Sequence, residues 1–178
     1  MNFIKPIAET SSDFELERYF NGCSVAEGIF EDRFGNIRKC FTVVINGTVE
    51  RDTLHLEENF EYDDGSEETR VWTIKICGQG EYEGRARDVI GIARGKVKGN
   101  SLHWSYRMRL PLGKRSLQVR FDDKMWLLAD GKLLNRARVL KYGILVGSVT
   151  IVFSKIESAP EGLAASQSVG ISRLAIAR

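Results

Sequence analysis

The chain has 178 residues, of which 43% are hydrophobic and 28% charged, with a formal net charge of +2. This length suits one compact domain, and the composition excludes membrane-spanning, fibrous, largely disordered and disulfide-stapled proteins. Because 26 basic residues are nearly balanced by 24 acidic ones, the chain lacks the basic excess of nucleic-acid binders, and we expect no nucleic-acid partner.

The first predicted element is a short helix near residues 12–20, after an N-terminal extension at residues 1–11. Ser12 and Glu15 have the spacing of a capping box, and Leu16, Tyr19 and Phe20 share one helical face. We expect this apolar face to plug one end of the domain that follows.

The beginning of the chain lacks the pattern of a secretory signal. Such a signal needs an apolar run of about 7–15 residues behind basic residues, and Lys5, Pro6 and Glu9 interrupt the only candidate. The longest apolar runs elsewhere are far shorter than the ~20 residues that cross a bilayer. We therefore expect a cytoplasmic protein with no transmembrane segment.

Turn signals divide the middle of the chain into nine segments. Asn-Gly and Asp-Gly pairs tolerate the positive φ angles that two-residue hairpin turns require. We assign residues 12–156 to a single domain built from these segments. The predicted turns are Gly35-Asn36, Asn46-Gly47, Asp64-Gly65, Gly78-Gln79-Gly80, Gly99-Asn100, Pro111-Leu112-Gly113, Asp130-Gly131 and Tyr142-Gly143.

Several of these segments alternate strictly between apolar and polar residues, which is typical of half-buried antiparallel strands. One face of such a segment carries Leu102, Trp104, Tyr106, Met108 and Leu110. A meander of about nine strands has two exposed edges unless it closes. The predicted fold is therefore all-β, an antiparallel up-and-down barrel of about nine strands with a short N-terminal helix.

Residues 81–98 are predicted as one long strand with a bulge near Asp88-Val89, because no turn signal interrupts them. Gly84, Ala93 and Gly95 are among its many small residues. Small side chains leave room inside a barrel or let the backbone bend at a corner.

The last 22 residues, 157–178, are small and polar without a pattern, and we expect a flexible tail. The three cysteines, Cys23, Cys40 and Cys77, are widely spaced and are predicted to be reduced, core or half-buried thiols. No set of residues has the spacing of a metal site, so no metal or other cofactor is expected.

Short motifs across residues 14–155 resemble those of a known family. They are Asp32-Arg33-Phe34-Gly35, Leu54-x-Leu56-x-Glu58-x-Phe60-x-Tyr62-x-Asp64-Gly65, Arg70-x-Trp72-x-Ile74, Tyr82-x-Gly84-x-Ala86-x-Asp88-Val89-x-Gly91, Gly99-Asn100, Trp104-x-Tyr106, Leu110-Pro111, Asp122-Asp123, Asn135-Arg136-Ala137, Lys141-Tyr142-Gly143 and Val146-Gly147-x-Val149-Thr150-Ile151. The family comprises uncharacterised bacterial proteins that share a domain of unknown function. The resemblance implies a lipocalin-like (calycin) barrel and no particular activity. Many members are described as lipoproteins, and this chain differs from them in showing no signal or lipidation cysteine.

Two charged residues break the alternation of neighbouring strands. Glu58 falls on the apolar face of its segment, and Arg70 falls on the face of Trp72. If the Asp64-Gly65 turn joins their strands, Arg70 lies opposite Phe60 or Tyr62, with Glu58 diagonally across from it. An unpaired buried charge is costly, so we expect the two to pair inside the barrel.

Further polar residues are candidates for the interior. Asp88 is a third inward charge by its parity with Tyr82 and Ala86. The pair Asp122-Asp123 is predicted to form a bulge that exposes one carboxylate. Alternatively, one of these two aspartates forms a salt bridge with Arg136 on the next strand.

The predicted site therefore combines these charges with aromatic residues that belong either to the core or to a ligand-stacking surface. Its residues are Glu58, Tyr62, Arg70, Trp72, Asp88, Trp104 and Tyr106. The charges fix the barrel register, anchor a ligand's head group or exchange protons, and the sequence leaves these three roles open. No catalytic residue is assigned, because no nucleophile-and-base motif is present.

Three functions remain in competition. The favoured one is a barrel that binds a small apolar or amphipathic ligand, with an anionic or polar head near Arg70. The second is an isomerase or lyase that uses Glu58 and Asp88 for acid–base chemistry. The third is a protein-interaction module, suggested by the tail and by uneven charge along the chain. The sequence leaves the oligomeric state open.

Overall fold

The protein is described here by a computed structural model that covers residues 14–112 and 115–156. Within these ranges the chain forms a closed antiparallel barrel of ten strands, preceded by one short helix. The predicted all-β barrel is confirmed, with ten strands in place of about nine. The elements are α1 (Leu16–Phe20), β1 (Gly22–Asp32), β2 (Ile37–Glu50), β3 (Thr53–Tyr62), β4 (Glu67–Gly78), β5 (Glu81–Arg85), β6 (Val89–Lys98), β7 (Ser101–Leu112), β8 (Arg115–Leu127), β9 (Leu133–Lys141) and β10 (Ile144–Lys155).

The barrel closes because the first strand, β1, pairs with the last, β10, while each of β2 to β9 pairs with its two neighbours in sequence. Among the ten described strands, this closure leaves no unpaired sheet edge. Strands β1, β3, β5, β7 and β9 begin at the end of the barrel that carries α1, which we call the helix end. The opposite end, where the β1–β2 and β3–β4 turns lie, is called the far end.

Helix α1 is shorter than the predicted span of residues 12–20. It begins at Leu16, and Glu15 before it is extended, with φ −116° and ψ 115° and no side-chain cap. The backbone N–H of Phe14 donates to the carbonyl of Gly99 at 2.8 Å, which holds this part of the chain extended. The predicted capping residue Ser12 lies outside the described residues.

The apolar face of α1 covers the helix end of the barrel, as expected. Leu16, Tyr19 and Phe20 are buried, and the Tyr19 hydroxyl donates to the carbonyl of Phe153 at 3.1 Å. The backbone carbonyl of Phe20 lies so close to Gly47 that a Cβ at this position would collide with it. Glycine at 47 therefore lets the helix pack directly on β2.

The turn predicted at Asn46-Gly47 is wrong. Strand β2 continues through this pair to Glu50, and the reversal occurs at Arg51-Asp52, where Arg51 has φ 56°. The glycine that suggested a turn serves the close approach of α1 instead.

The single long strand predicted at residues 81–98 is also wrong. It is two antiparallel strands, β5 and β6, joined by a turn closed by the Val89 N–H and the Ala86 carbonyl at 3.2 Å. The space beside Gly84 and Gly95 is filled by the Trp104 indole, which a Cβ at either glycine would meet. The small residues therefore accommodate a core tryptophan.

The remaining predictions about chain organisation have mixed outcomes. The extension at residues 1–11 and the tail at residues 157–178 lie outside the described residues. All three cysteines are free, as predicted, but only Cys23 is half-buried, and Cys40 and Cys77 are exposed.

Candidate functional site

The barrel encloses a cavity of about 470 Å³ that extends from the helix end toward the far end. Small-molecule sites typically have volumes of about 300–1,000 Å³ and apolar walls with a few polar groups. Leu16 and Phe20 of α1 line the cavity at the helix end, and Lys39 and Glu68 line it toward the far end. The barrel interior therefore contains an open lumen beside its packed core.

The first polar group in the lumen, which we call the Arg70 cluster, comprises Glu58, Glu68, Arg70 and Asp88. Arg70 Nε lies 2.9 Å from a carboxylate oxygen of Asp88, and one terminal nitrogen lies 3.0 Å from Glu68. Its other terminal nitrogen lies 3.9 Å from Glu58. Each nitrogen of the guanidinium thus faces a carboxylate of this protein.

The loop between β3 and β4 determines how Glu58 and Arg70 meet. Glu58 lies directly opposite Arg70, not diagonally as the sequence suggested. The Tyr62 N–H bonds the Ser66 carbonyl, which leaves a three-residue loop with Gly65 at φ 78°. A three-residue loop with a left-handed glycine shifts the pairing by one residue relative to a two-residue turn.

In the Arg70 cluster, burial and the nearby positive charge shift the pKa of Glu58 in opposite directions. The Arg70 side chain is 16% exposed and lies over the Phe60 ring, 5.2 Å from its centroid. Burial raises the pKa of Glu58 to about 7, although the positive charge of Arg70 acts to lower it. With three carboxylates around one guanidinium, protonation of Glu58 relieves part of the excess negative charge.

The second polar group, which we call the acceptor pair, consists of Asp123 on β8 and Asn135 on β9. Both side chains are 4% exposed and line the lumen. Among the described residues, no hydrogen-bond donor reaches Asp123 Oδ1 or Asn135 Oδ1. Burial raises the pKa of Asp123 to about 7, although hydrogen bonding to its carboxyl group by the side chains of Asn135 and Tyr106 acts to lower it.

Tyr106 lies between the two polar groups. Its hydroxyl donates a long hydrogen bond of 3.5 Å to Asp123, and burial raises its pKa well above the ordinary value, so it stays protonated. The ring stacks on Phe121 with centroids 5.1 Å apart and meets the edge of Trp72 at 5.5 Å. Trp72 in turn contacts Trp104, with ring centroids 5.9 Å apart.

The structure brings the predicted site residues together around the lumen, with differences in their positions. Glu58, Arg70 and Tyr106 line the cavity, as do Tyr62, Trp72 and Trp104. Asp88 contacts Arg70 but is not a lining residue. Whether these residues bind a ligand stays a prediction.

Sequence reasoning considered one member of the acceptor pair, Asp123, but assigned it to a bulge. No bulge separates Asp122 from Asp123, since the registers of β8 with β7 and β9 run without a shift. Asp123 therefore faces inward and Asp122 outward, where Asp122 pairs with His103. Arg136 lies opposite Lys124, so the predicted Asp–Arg136 pair is wrong.

Sequence reasoning did not select Asn135 as a site residue, although its position in the inward–outward alternation of β9 pointed to it. It occupies the inward phase between Leu133 and Ala137, where an apolar residue is expected. A polar residue in this phase marks either a buried hydrogen bond or a site.

Two other kinds of site were sought in residues 14–112 and 115–156. No group of three or more His, Cys, Asp or Glu side chains in these ranges is placed to hold a metal ion. The one helix found there is too short to cross a membrane.

Together, these features define a closed antiparallel β-barrel protein with a mainly apolar lumen that contains two polar groups. The chain belongs to the family described as protein of unknown function (DUF3833), whose sequence profile matches residues 2–155. No curated protein shows significant sequence similarity to the chain.

Proposed function

We propose that this protein binds a small amphipathic molecule in its lumen. The observation that carries the proposal is the cavity of about 470 Å³, which runs along the barrel between apolar walls and meets two separate polar groups. A filled barrel needs no such space, since protein interiors are packed with few voids larger than a water molecule.

The lining supports a ligand with an apolar body. Toward the far end, the walls are formed by Phe41, Phe60, Leu110, Leu117 and Val119. Burying apolar surface contributes roughly 25 cal/mol per Å², so a hydrocarbon or aromatic body gains affinity along this stretch.

The Arg70 cluster does not favour the anionic head group that the sequence suggested. Three carboxylates already face the guanidinium, and Tyr62 donates to Glu68 at 3.1 Å, which fixes one of them. An anionic head would have to displace a carboxylate and would meet the others at close range. This cluster is better suited to holding β3, β4 and the β5–β6 turn together.

The proposal is tested with N-phenyl-1-naphthylamine, an apolar probe whose fluorescence rises when it leaves water. Val119→Trp fills the lumen, and Arg120→Trp places the same side chain outside on the same strand. We expect the wild type and Arg120→Trp to bind the probe and Val119→Trp to lose binding. Equal binding by all three proteins, or binding by none, would refute a ligand site in the lumen.

A second candidate function is proton transfer to a bound substrate. Glu58 lines the lumen, and its pKa is raised to about 7, which suits a general acid or base near neutral pH. Asp88, the other predicted acid, bonds Arg70 and is better placed to hold the guanidinium. A Glu58→Gln protein that binds the probe but does not complement a deletion strain would support an enzyme, and full complementation would exclude Glu58 catalysis.

A further inference from the structure

We propose that the ligand carries a cationic, hydrogen-bond-donating head, such as an alkylammonium group, and that Asp123 and Asn135 hold this head in the inner part of the lumen. This inference rests on the proposed function and adds the chemical class and orientation of the ligand.

The acceptor pair has the hydrogen-bonding capacity that such a head requires. Asp123 Oδ1 and Asn135 Oδ1 are buried and have no donor among the described residues. Asn135 lies opposite Met125 and Asp123 lies opposite Ala137, so the two side chains are diagonal neighbours on one face. A buried acceptor without a donor is destabilising, so a donor brought by a ligand is favoured here.

Among the described residues that line the lumen, none supplies a free cation for Asp123. Of the residues that line the lumen, Lys39 and Arg70 are the basic ones. Lys39 bonds Asp64 at 3.1 Å, and Arg70 is surrounded by the carboxylates of its own cluster. The other acids facing the lumen, Glu58 and Glu68, add negative potential, so a positive charge is favoured and a negative one repelled.

The chemistry of the pair distinguishes an ammonium from other heads. An ammonium has three donors and a charge, which suits two acceptor oxygens and an ionised carboxylate. An alcohol has one donor and no charge, and a carboxylate has neither a donor nor the favourable sign.

The position of the pair sets the orientation of the ligand. Asp123 and Asn135 lie toward the helix end of their strands, and Phe20 of α1 lines the same end of the lumen. A head held there leaves the apolar body to extend toward the far end, beside Phe121 and Val119.

The experiment uses three probes with the same alkyl chain: decylamine, 1-decanol and decanoate. Each is titrated into the full-length protein loaded with N-phenyl-1-naphthylamine, at mildly alkaline pH, where the amine is still protonated. Because hydrogen bonds to charged groups contribute about 1.5–3 kcal/mol, decylamine should bind at least about tenfold more tightly than decanol. Decanoate should bind most weakly of the three.

A matched pair of variants locates the preference. Asp123→Asn keeps the shape of the side chain but removes its charge, and it should abolish the preference for the amine while decanol still binds. Asp122→Asn makes the same change one residue away on the outside of the barrel, where the carboxylate pairs with His103. It should leave the preference unchanged.

The outcomes separate the two proposals. If decanol displaces the naphthylamine probe and decylamine binds no better, the lumen site stands and the cationic head is refuted. An unchanged amine preference in Asp123→Asn also refutes it. If the naphthylamine probe does not bind the wild type, both proposals fail. The comparison of the three alkyl probes on the wild type decides the inference even if Asp123→Asn does not fold.

Discussion

The Arg70 cluster and the acceptor pair both place carboxylates inside the barrel, but they differ in what surrounds them. In the Arg70 cluster, the cation is built into the chain, and carboxylates of three residues face its guanidinium. In the acceptor pair, Asp123 has a long bond from Tyr106, and two oxygens of the pair have no donor among the described residues.

This difference separates a structural network from a candidate binding site. A buried charge that already has its partner fixes the positions of the strands it joins, while buried acceptors without donors are a cost that a ligand can remove. Asp88 Oδ1 of the Arg70 cluster also has no donor among the described residues, but Asp88 does not line the lumen, whereas Asp123 and Asn135 do. Sequence reasoning selected Glu58 and Arg70 as the central site residues. In the structure, Asp123 and Asn135 are the lumen-lining residues whose buried oxygens have no donor among the described residues.

The largest expected effect comes from removing the cation of the Arg70 cluster. Arg70→Ala leaves Glu58, Glu68 and Asp88 facing each other, and losing one partner of a buried ion pair costs about 3–5 kcal/mol. The free energy of unfolding, measured with urea, should fall by this amount. The matched variant Arg94→Ala removes an arginine whose side chain is 73% exposed, from a 3.6 Å pair with Glu83. It should cost about 1 kcal/mol or less, and an equal loss in both variants would mean that the Arg70 cluster is not structural.

The next effect is the dependence of stability on pH. The pKa of Asp123 is raised from 3.8 to about 7 on folding, so the folded protein binds more protons than the unfolded chain between these values. Stability should therefore fall as pH rises through this window and level off above it, with a slope of at most about 1.4 kcal/mol per pH unit for each such group. Glu58 contributes in the same direction between 4.5 and about 7.

Variants assign this pH dependence to the lumen. Asp123→Asn should remove part of the decline, as measured by urea unfolding at a series of pH values. Asp122→Asn should leave this decline in place, because the His103 partner lowers the pKa of Asp122, whose stabilisation is lost only as pH falls below the ordinary value of 3.8. A wild-type protein whose stability rises between pH 4.5 and about 7 would contradict the burial of both raised carboxyls.

A smaller effect is expected from displacing the helix that covers the helix end of the barrel. Gly47→Ala places a methyl group against the Phe20 carbonyl, and overpacking of this kind costs about 1–3 kcal/mol. The exposed neighbour provides the control, since Thr48→Ala should change stability by about 0.5 kcal/mol or less.

The same variant also tests the difference between the two polar groups. If α1 moves away, water reaches the helix end, and the pKa of Asp123 should fall toward its ordinary value, as followed by NMR of its carboxyl carbon. A Gly47→Ala protein with unchanged stability and unchanged Asp123 titration would show that the helix does not shield the pair.

The smallest change in stability is expected from removing the Tyr106 hydroxyl, which lies between the Arg70 cluster and the acceptor pair. Tyr106→Phe removes the donor to Asp123, but the bond is 3.5 Å long. We therefore expect a loss of about 1 kcal/mol or less in unfolding free energy, with the pKa of Asp123 raised further. Tyr142→Phe, whose residue is 91% exposed, should change neither quantity. A fall in the Asp123 pKa in Tyr106→Phe would mean that this hydroxyl does not stabilise the carboxylate.

Most of the fold could be predicted because its strands follow a strict period of two. The inward phase through Leu102, Trp104 and Met108 was readable directly. The two errors in strand bounds have one cause. Gly47 was required by a neighbouring backbone, and the turn after Arg85 contains no glycine, so glycine was a poor marker of turns at both positions.

The site was harder to predict because it depends on register. The predicted register, with Phe60 opposite Arg70, differs by two residues from the observed one, in which Glu58 lies opposite Arg70, and the hairpin sequence alone did not determine the loop that sets it. Asp122 and Asp123 were assigned together to a bulge that exposes one of them, whereas the unshifted registers of β8 turn Asp123 inward. Its missing donor depends on side chains from several strands, which no local pattern shows.

The account is tested most directly by native mass spectrometry of the protein purified from its own cells. It predicts a bound small molecule on the wild type and on Arg120→Trp, and none on Val119→Trp, whose lumen is blocked. A wild-type protein that carries no molecule, or a Val119→Trp protein that carries the same one, would contradict a natural ligand in the lumen.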